Sequence, residues 1–262
     1  MDDQKDQMVN RQQNGNHFLF SPAIIAHRGA SAIAPENTRA AFLEAKRLGF
    51  SWIECDVMLS STGEVVVMHD DTLDRTTNGH GRVVDCPYST LKTLDAGSWF
   101  DPVFSMECIL TFEELLLLLS EQSLSANIEL KPLQGYEEET VKRAMAILHA
   151  FQKPIPSILL SSFSKKALRM VRAIDTDVSL GLLMNEWEEG WAEDAAALSC
   201  ATIHVNQAVL TLKRIQQIES AGYGLLVYTV NDVSRAKELL AQGVDAVFSD
   251  CPREIANVFG IQ

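Results

Sequence analysis

Positive charge is scarce in this chain: 22 lysines and arginines stand against 35 acidic residues, a formal net charge of −13. Nucleic acid and anionic membrane both need a basic surface, so neither is expected as the main partner. Cysteine is sparse and unpatterned. Cys55, Cys86, Cys108, Cys200 and Cys251 are odd in number, scattered and without a C-x-x-C spacing, which fits reduced thiols better than a disulfide framework or a zinc site. The apolar stretch LTFEELLLLL near residue 110 is too short to span a bilayer. It opens with Thr111 and Glu114 at capping-box spacing and reads as a buried helix. The polar start, MDDQKDQMVNRQQNGNHF, contains no apolar segment of secretory type. A cytoplasmic location is therefore expected, with residues 1–20 as a flexible tail.

What is present is polar chemistry at the ends of apolar runs. In IIAHRGASAIAPENT, residues 24–38, Ala23 to Ala26 read as a buried strand, and Gly29 frees the backbone to turn just beyond it. His27 and Arg28 then sit at a strand-to-loop junction, an imidazole able to move protons and a guanidinium able to fork onto phosphate oxygens. In SWIECDVML, residues 51–59, side chains alternate, so Glu54 and Asp56 face one way while Ile53, Cys55 and Val57 face the other. Two buried carboxylates on one face repel unless something positive lies between them, and a hard divalent cation is the natural partner. ANIELK, residues 126–131, repeats the pattern with Asn127, Glu129 and Lys131 on one face. A further apolar run, residues 64–68, ends at His69, Asp70 and Asp71. Taken singly, each run could be an amphipathic strand with a solvated face. Together they look like the catalytic rim of a parallel barrel, where polar residues gather at strand C-terminal ends.

HRG, PENT, Glu54-Cys55-Asp56, HDDTLDRTTNG, IELKP, LLSSF and YTVND stand here in the order seen in glycerophosphodiester phosphodiesterases. The chain resembles the bacterial cytosolic type of that family most, since LDAGSWF, GLLMNEW and IHVN also match. The similarity runs from about Ile24 to Pro252. Two positions depart from it. Tyr228 stands where many relatives have Trp, which bears on how the alcohol is held, and Ile109-Leu110-Thr111 stands where a proline is common.

The alternation of strand and helix patterns predicts a (β/α)8 TIM barrel over residues 21–262 as a single domain. Strands are expected at 23–27, 51–58, 64–69, 126–131, 157–161, 178–184, 201–206 and 224–230. Residues 245–249 are a ninth candidate, and which of the nine is peripheral stays open. Helices are expected near 38–48, 111–121, 137–151, 164–173, 187–198, 210–221 and 232–241. Too few residues separate the second and third runs for a helix, so one outer helix is expected to be missing. Residues 71–110, after the third run, show no period and form a small insertion that in the resembled family covers the barrel mouth; Tyr88, Trp99 and Phe100 are expected to pack it down. Asn37 or Thr38 should cap the following helix, with Glu36 favourable near its N-terminus, and a supporting contact from this segment to the metal site is the alternative role. His17, His80, His149 and His204 have no strand-end partner.

The resemblance implies a metal-dependent phosphodiesterase that hydrolyses small glycerophosphodiesters, such as glycerophosphocholine or glycerophosphoethanolamine, to sn-glycerol 3-phosphate and an alcohol. One divalent cation would be held by Glu54, Asp56 and Glu129. Mg2+ suits a part-hydrated carboxylate site best, and Ca2+ or Mn2+ also accept hard oxygen ligands. Arg28 and Lys131 would bind the phosphoryl group, making a positive pocket inside an acidic shell, with His27 as general base and His69 as general acid, an order the sequence leaves open because both lie at strand ends. Two alternatives compete with this expectation. A phospholipase-like activity on intact lipids would need an exposed apolar rim, and none is evident among the mouth loops. A catalytically silent barrel would have no reason to keep a costly acid cluster.

Overall fold

The computed structural model describes Phe20 and residues 23–258, so the expected tail lies outside the described residues, Phe20 apart. The chain forms strands β1 (Ile24–Ala26), β2 (Trp52–Leu59), β3 (Val65–Val67), β4 (Ser125–Leu130), β5 (Ile158–Ser162), β6 (Ser179–Met184), β7 (Thr202–Asn206), β8 (Gly224–Tyr228) and β9 (Ala246–Ser249). All but β3 pair in parallel around a closed barrel. The ring closes where β1 meets β9, with Ile24 opposite Val247, and β2, with Ala26 opposite Ile53. The expected (β/α)8 barrel is therefore present.

Its outer layer corrects one expectation. Each barrel strand is followed by a helix: Arg39–Arg47, Phe112–Gln122, Glu137–Ala150, Lys165–Ile174, Trp191–Ala197, Leu212–Ser220, Val233–Ala241 and Pro252–Val258. No outer helix is missing among the described residues. The error lay in counting Val65–Val67 as a barrel strand. It folds back antiparallel on β2, with Val57 opposite Val67 and Leu59 opposite Val65. So short a link, turning at Gly63 with φ +91°, permits only an antiparallel return, because a parallel crossover needs a dozen residues or more. The peripheral candidate is thus β3, and Ala246–Ser249 completes the ring. The insertion sits between the second and third barrel strands.

Alternation along the strands separates two apolar regions. Ile24, Ile53, Leu160, Leu225 and Val247 join the large core shared with the helices, whereas their chain neighbours Ile25, Trp52, Leu159, Leu226 and Phe248 form a small cluster of their own. That is the pattern of a barrel with a filled interior. His204 belongs to this interior. It is fully buried beside Phe248, bonds Thr202 Oγ1 through Nε2 at 2.8 Å, and burial lowers its pKa to about 3. Its ring fits because residue 181 is glycine: a Cβ there would lie 2.5 Å from His204 Nε2.

The insertion has little regular structure, a single helical turn at Tyr88–Leu91 and 3-10 turns at Val83–Asp85 and Pro102–Phe104. An apolar cluster of Met58, Val66, Met68, Leu73, Val83, Leu91, Ala96 and Ile109 fastens it to the β2–β3 hairpin, with Tyr88 packed against it. Phe100 sits edge-on to Trp99 and Phe104. The helix Phe112–Gln122 begins with the expected capping box: Glu114 N donates to Thr111 Oγ1 at 3.2 Å, and Thr111 N to Glu114 Oε2 at 2.8 Å.

Candidate active site

Register brings the acids together. Parallel pairing sets Glu54 beside Asn127 and Asp56 beside Glu129 on adjacent strands, which run about 4.8 Å apart. One ligand oxygen from each of Glu54, Asp56 and Glu129 lies within 4.8 Å of the others, and all three residues are buried. Burial, first, and the neighbouring Asp56 raise Glu54 well above the ordinary carboxylate range and Glu129 to about 8. Cationic help is limited. Arg28 Nε and Lys131 Nζ approach only Asp56, at 3.6 and 3.7 Å, beyond normal hydrogen-bond length. Arg28 Nε and Asn127 Oδ1 are buried with no hydrogen-bond partner. Three hard oxygen donors, buried together and disfavouring one another's ionisation, are a donor set that fits a divalent cation.

Local backbone geometry aims the first loop. Beyond β1, Gly29 adopts φ +84°, and a Cβ there would meet the Ala41 carbonyl carbon at 2.6 Å. Only glycine lets this loop pass so close to the helix Arg39–Arg47. Arg28 takes φ +54°, a left-handed conformation costly for a side-chain-bearing residue. That turn aims its backbone N–H at Glu54 Oε2, 3.0 Å away. Burial disfavours the Arg28 charge, but Asp56, Glu36 and Glu54 outweigh it and raise its pKa.

Each strand-end imidazole is held at Nδ1 by an aspartate. His27 Nδ1 lies 2.6 Å from Asp250 Oδ1, and His69 Nδ1 lies 2.6 Å from Asp70 Oδ1. Such a bond places the proton on Nδ1 and leaves Nε2 free to exchange one. His27 Nε2 lies 3.7 Å from Glu54 Oε2. Asp250 also accepts from Ser31 Oγ and Asn231 Nδ2. Burial works against its ionisation, but the His27 bond and these donors hold its pKa down at about 2. Desolvation lowers the His69 pKa, with Asp56 and Asp70 opposing it.

Six of the seven residues singled out from the sequence, His27, Arg28, Glu54, His69, Glu129 and Lys131, line one cavity of about 210 Å3, shared with Asn127, Phe163, Leu183, Tyr228, Thr229 and Phe248. The seventh, Asp56, is 1% exposed and reaches the site through its carboxylate neighbours. Sequence reasoning missed Asp250. The signal was its place directly after the last strand, which could not be weighted while the ninth candidate was unresolved. Thr38 caps the first helix, accepting from Ala41 N at 3.4 Å, whereas Asn37, at φ +58°, donates to Asp56 Oδ2 at 2.9 Å. Tyr228 donates to the Met184 carbonyl at 2.8 Å and stands edge-on to Phe163. His80 is turned to solvent on Asp74, and His149 pairs with Asp175. His17 lies outside the described residues.

Comparison with known proteins assigns the family. The model of the glycerophosphoryl diester phosphodiesterase family matches residues 27–254. The chain belongs to this family. Phosphodiester hydrolysis is thereby its reaction class. A glycerophosphodiester phosphodiesterase of Caldanaerobacter subterraneus is 33% identical over 242 residues, covering 90% of this chain and 96% of that protein. One from Bacillus subtilis is 31% identical over 264 residues, covering 93% and 89%. Among solved structures, an Oleispira antarctica phosphodiesterase in complex with the product sn-glycerol-3-phosphate superposes with a TM-score of 0.88 at 39% identity, over 90% of this chain and 96% of that one. No helix among the described residues is long and apolar enough to cross a membrane.

Proposed function

We propose that this protein hydrolyses small glycerophosphodiesters, such as glycerophosphocholine and glycerophosphoethanolamine, to sn-glycerol 3-phosphate and the free alcohol. One observation supports this above all. Two aspartate-held imidazoles, a guanidinium, an ammonium and the carboxylate cluster converge on a single cavity at the barrel mouth. The product-bound Oleispira structure has the same fold, and the five free thiols suit a reducing, cytoplasmic compartment.

Glu54, Asp56 and Glu129 would hold one divalent cation, with Mg2+ favoured and Ca2+ or Mn2+ also suited to hard oxygen donors. Bound there, such an ion would supply positive charge that offsets the negative charge of the phosphoryl group. Arg28, whose buried Nε is without a partner, and Lys131 donate to the phosphoryl oxygens and stabilise the charge that grows on them. His27, its Nδ1 proton fixed on Asp250, takes a proton at Nε2 from the attacking hydroxyl. His69, fixed on Asp70, delivers one to the oxygen of the departing alcohol. The substrate's own glycerol hydroxyl attacks first. Water then opens the cyclic phosphate, with the two imidazoles exchanging roles. The barrel and its insertion act as one unit in this scheme, because His69 stands where the insertion begins.

One observation bears on the lipid alternative. Val103 and Met106 in the insertion are 76% and 83% exposed, and Trp99 and Phe163 are also exposed. Incubation with glycerophosphocholine and with intact phosphatidylcholine, with and without EDTA, separates these cases. Glycerol 3-phosphate release from the deacylated substrate alone, abolished by EDTA, is expected. Turnover of the intact lipid contradicts the small-diester assignment, and no turnover of either identifies a silent barrel.

A further inference from the structure

We propose that Arg75, in the insertion, is a positioning residue that holds His69 and Arg28 in place through one clamp. Its guanidinium forks onto two carboxylates. Nε donates to Asp70 Oδ2 at 2.6 Å and NH2 to Asp70 Oδ1 at 2.8 Å, while NH1 reaches Glu36 Oε2 at 2.6 Å and NH2 reaches Glu36 Oε1 at 2.8 Å. Each carboxylate passes the constraint on. Asp70 Oδ1 is the oxygen that holds His69 Nδ1 at 2.6 Å, and Glu36 Oε1 accepts from Arg28 NH1 at 2.7 Å. The result is a continuous chain, His69–Asp70–Arg75–Glu36–Arg28, both of whose ends line the cavity.

Among the described residues, no other chain of side-chain hydrogen bonds ties these ends together. The carboxylates come from separate segments, Glu36 from the loop after β1 and Asp70 from the segment after β3, so neither is fixed by the other's backbone. An isolated exposed ion pair orders little. Here a half-exposed arginine uses the planar fork that lysine lacks to fix two partly buried acids at once. Arg75 touches no reacting atom. Its effect is on where His69 Nε2 and the Arg28 guanidinium point.

The clamp rests on His69 being the general acid only for its kinetic consequence; its geometric consequence is measurable by itself. Nitrogen-15 spectra of the histidines are recorded at pH 8 on metal-loaded wild type, Arg75→Ala and Arg75→Lys, with His69→Ala supplying the assignment. In the wild type, His69 is expected as a single Nδ1–H tautomer, and in both Arg75 variants its shifts should move toward the free-imidazole average. Turnover of glycerophosphocholine should fall on the order of 10²-fold in both variants, since small misplacement of reacting groups costs that much. A p-nitrophenyl ester of glycerol phosphate, which needs no protonated leaving group, should lose less. Unchanged His69 shifts, or a kcat within about twofold of wild type, overturn the clamp. Equal losses of His69→Ala on both esters overturn the acid assignment instead, while the nitrogen shifts still decide the role of Arg75. Full activity in Arg75→Lys also overturns the clamp, since it would show that charge alone suffices.

Discussion

Asp250 Oδ1 sits 2.6 Å from His27 Nδ1, so the end of the last barrel strand orients an imidazole at the end of the first. This bond closes the functional ring as the β1–β9 pairing closes the barrel. Asp250→Asn keeps the shape but can present an N–H where the imidazole needs an acceptor, which favours the wrong tautomer. We expect kcat to fall by about 10²–10⁴-fold, the usual worth of an acid–base group, with the melting temperature and metal affinity little changed. Steady-state kinetics with calorimetry checks this; a variant of wild-type kcat removes Asp250 from the mechanism.

Glu129→Gln tests the cation site. The amide is isosteric but uncharged, and in the absence of metal it relieves repulsion with Asp56, the second cause of the raised Glu129 pKa. The variant should bind Mg2+ or Mn2+ more weakly by about 10-fold or more while its metal-free form melts no lower than wild type, since a buried carboxylate is costly when unpaired. Titration calorimetry showing unchanged affinity would remove Glu129 from the ligand set.

The same group sets a pH dependence. Glu129 moves from the usual 4.5 to about 8 in the folded, metal-free chain. A carboxyl raised on folding favours the native state while it holds its proton. That contribution is complete below about pH 4.5 and is lost as pH climbs through about 8. Bound cation offsets the loss, so the difference in melting temperature between metal-loaded and EDTA-treated protein should widen from pH 5 to pH 8.5. Glu129→Gln should flatten it. A metal-induced shift of constant size across that range contradicts the assignment.

Gly29 is the backbone requirement on which His27 and Arg28 depend. Alanine there faces both φ +84° and a 2.6 Å contact with the Ala41 backbone, so Gly29→Ala should destabilise the fold by about 1–3 kcal/mol. Denaturant unfolding measures this, and a loss under about 0.5 kcal/mol, the range of neutral surface changes, shows that the loop can move aside.

The residues at strand ends were legible in the sequence because alternation and apolar runs locate them without tertiary information. His27, Glu54, Asp56, Glu129 and Lys131 follow from that logic; register sets Asp56 beside Glu129, and the barrel end gathers the rest around them. Val65–Val67 misled because an edge strand and a barrel strand share the same β-branched signature; only the length of the preceding turn distinguishes them. Asp250 and Arg75 were illegible for another reason. Their partners lie 223 residues away for Asp250, and 39 residues away for Arg75 on Glu36, and no local pattern marks such a pairing. The sequence offers Asn37 both as a cap and as a support for the metal site, and the second holds: a left-handed backbone at that position swings its side chain inward onto Asp56.

The division of labour between the two imidazoles is tested most directly by leaving-group dependence. His27→Ala and His69→Ala, each confirmed to bind metal, are assayed on glycerophosphocholine and on a p-nitrophenyl ester of glycerol phosphate. Both should lose about 10²–10⁴-fold on the choline ester. On the aryl ester, whose leaving group departs without a proton, His69→Ala should recover much of its activity and His27→Ala should not. Recovery in His27→Ala instead reverses the roles, and full activity of either variant on glycerophosphocholine contradicts the mechanism.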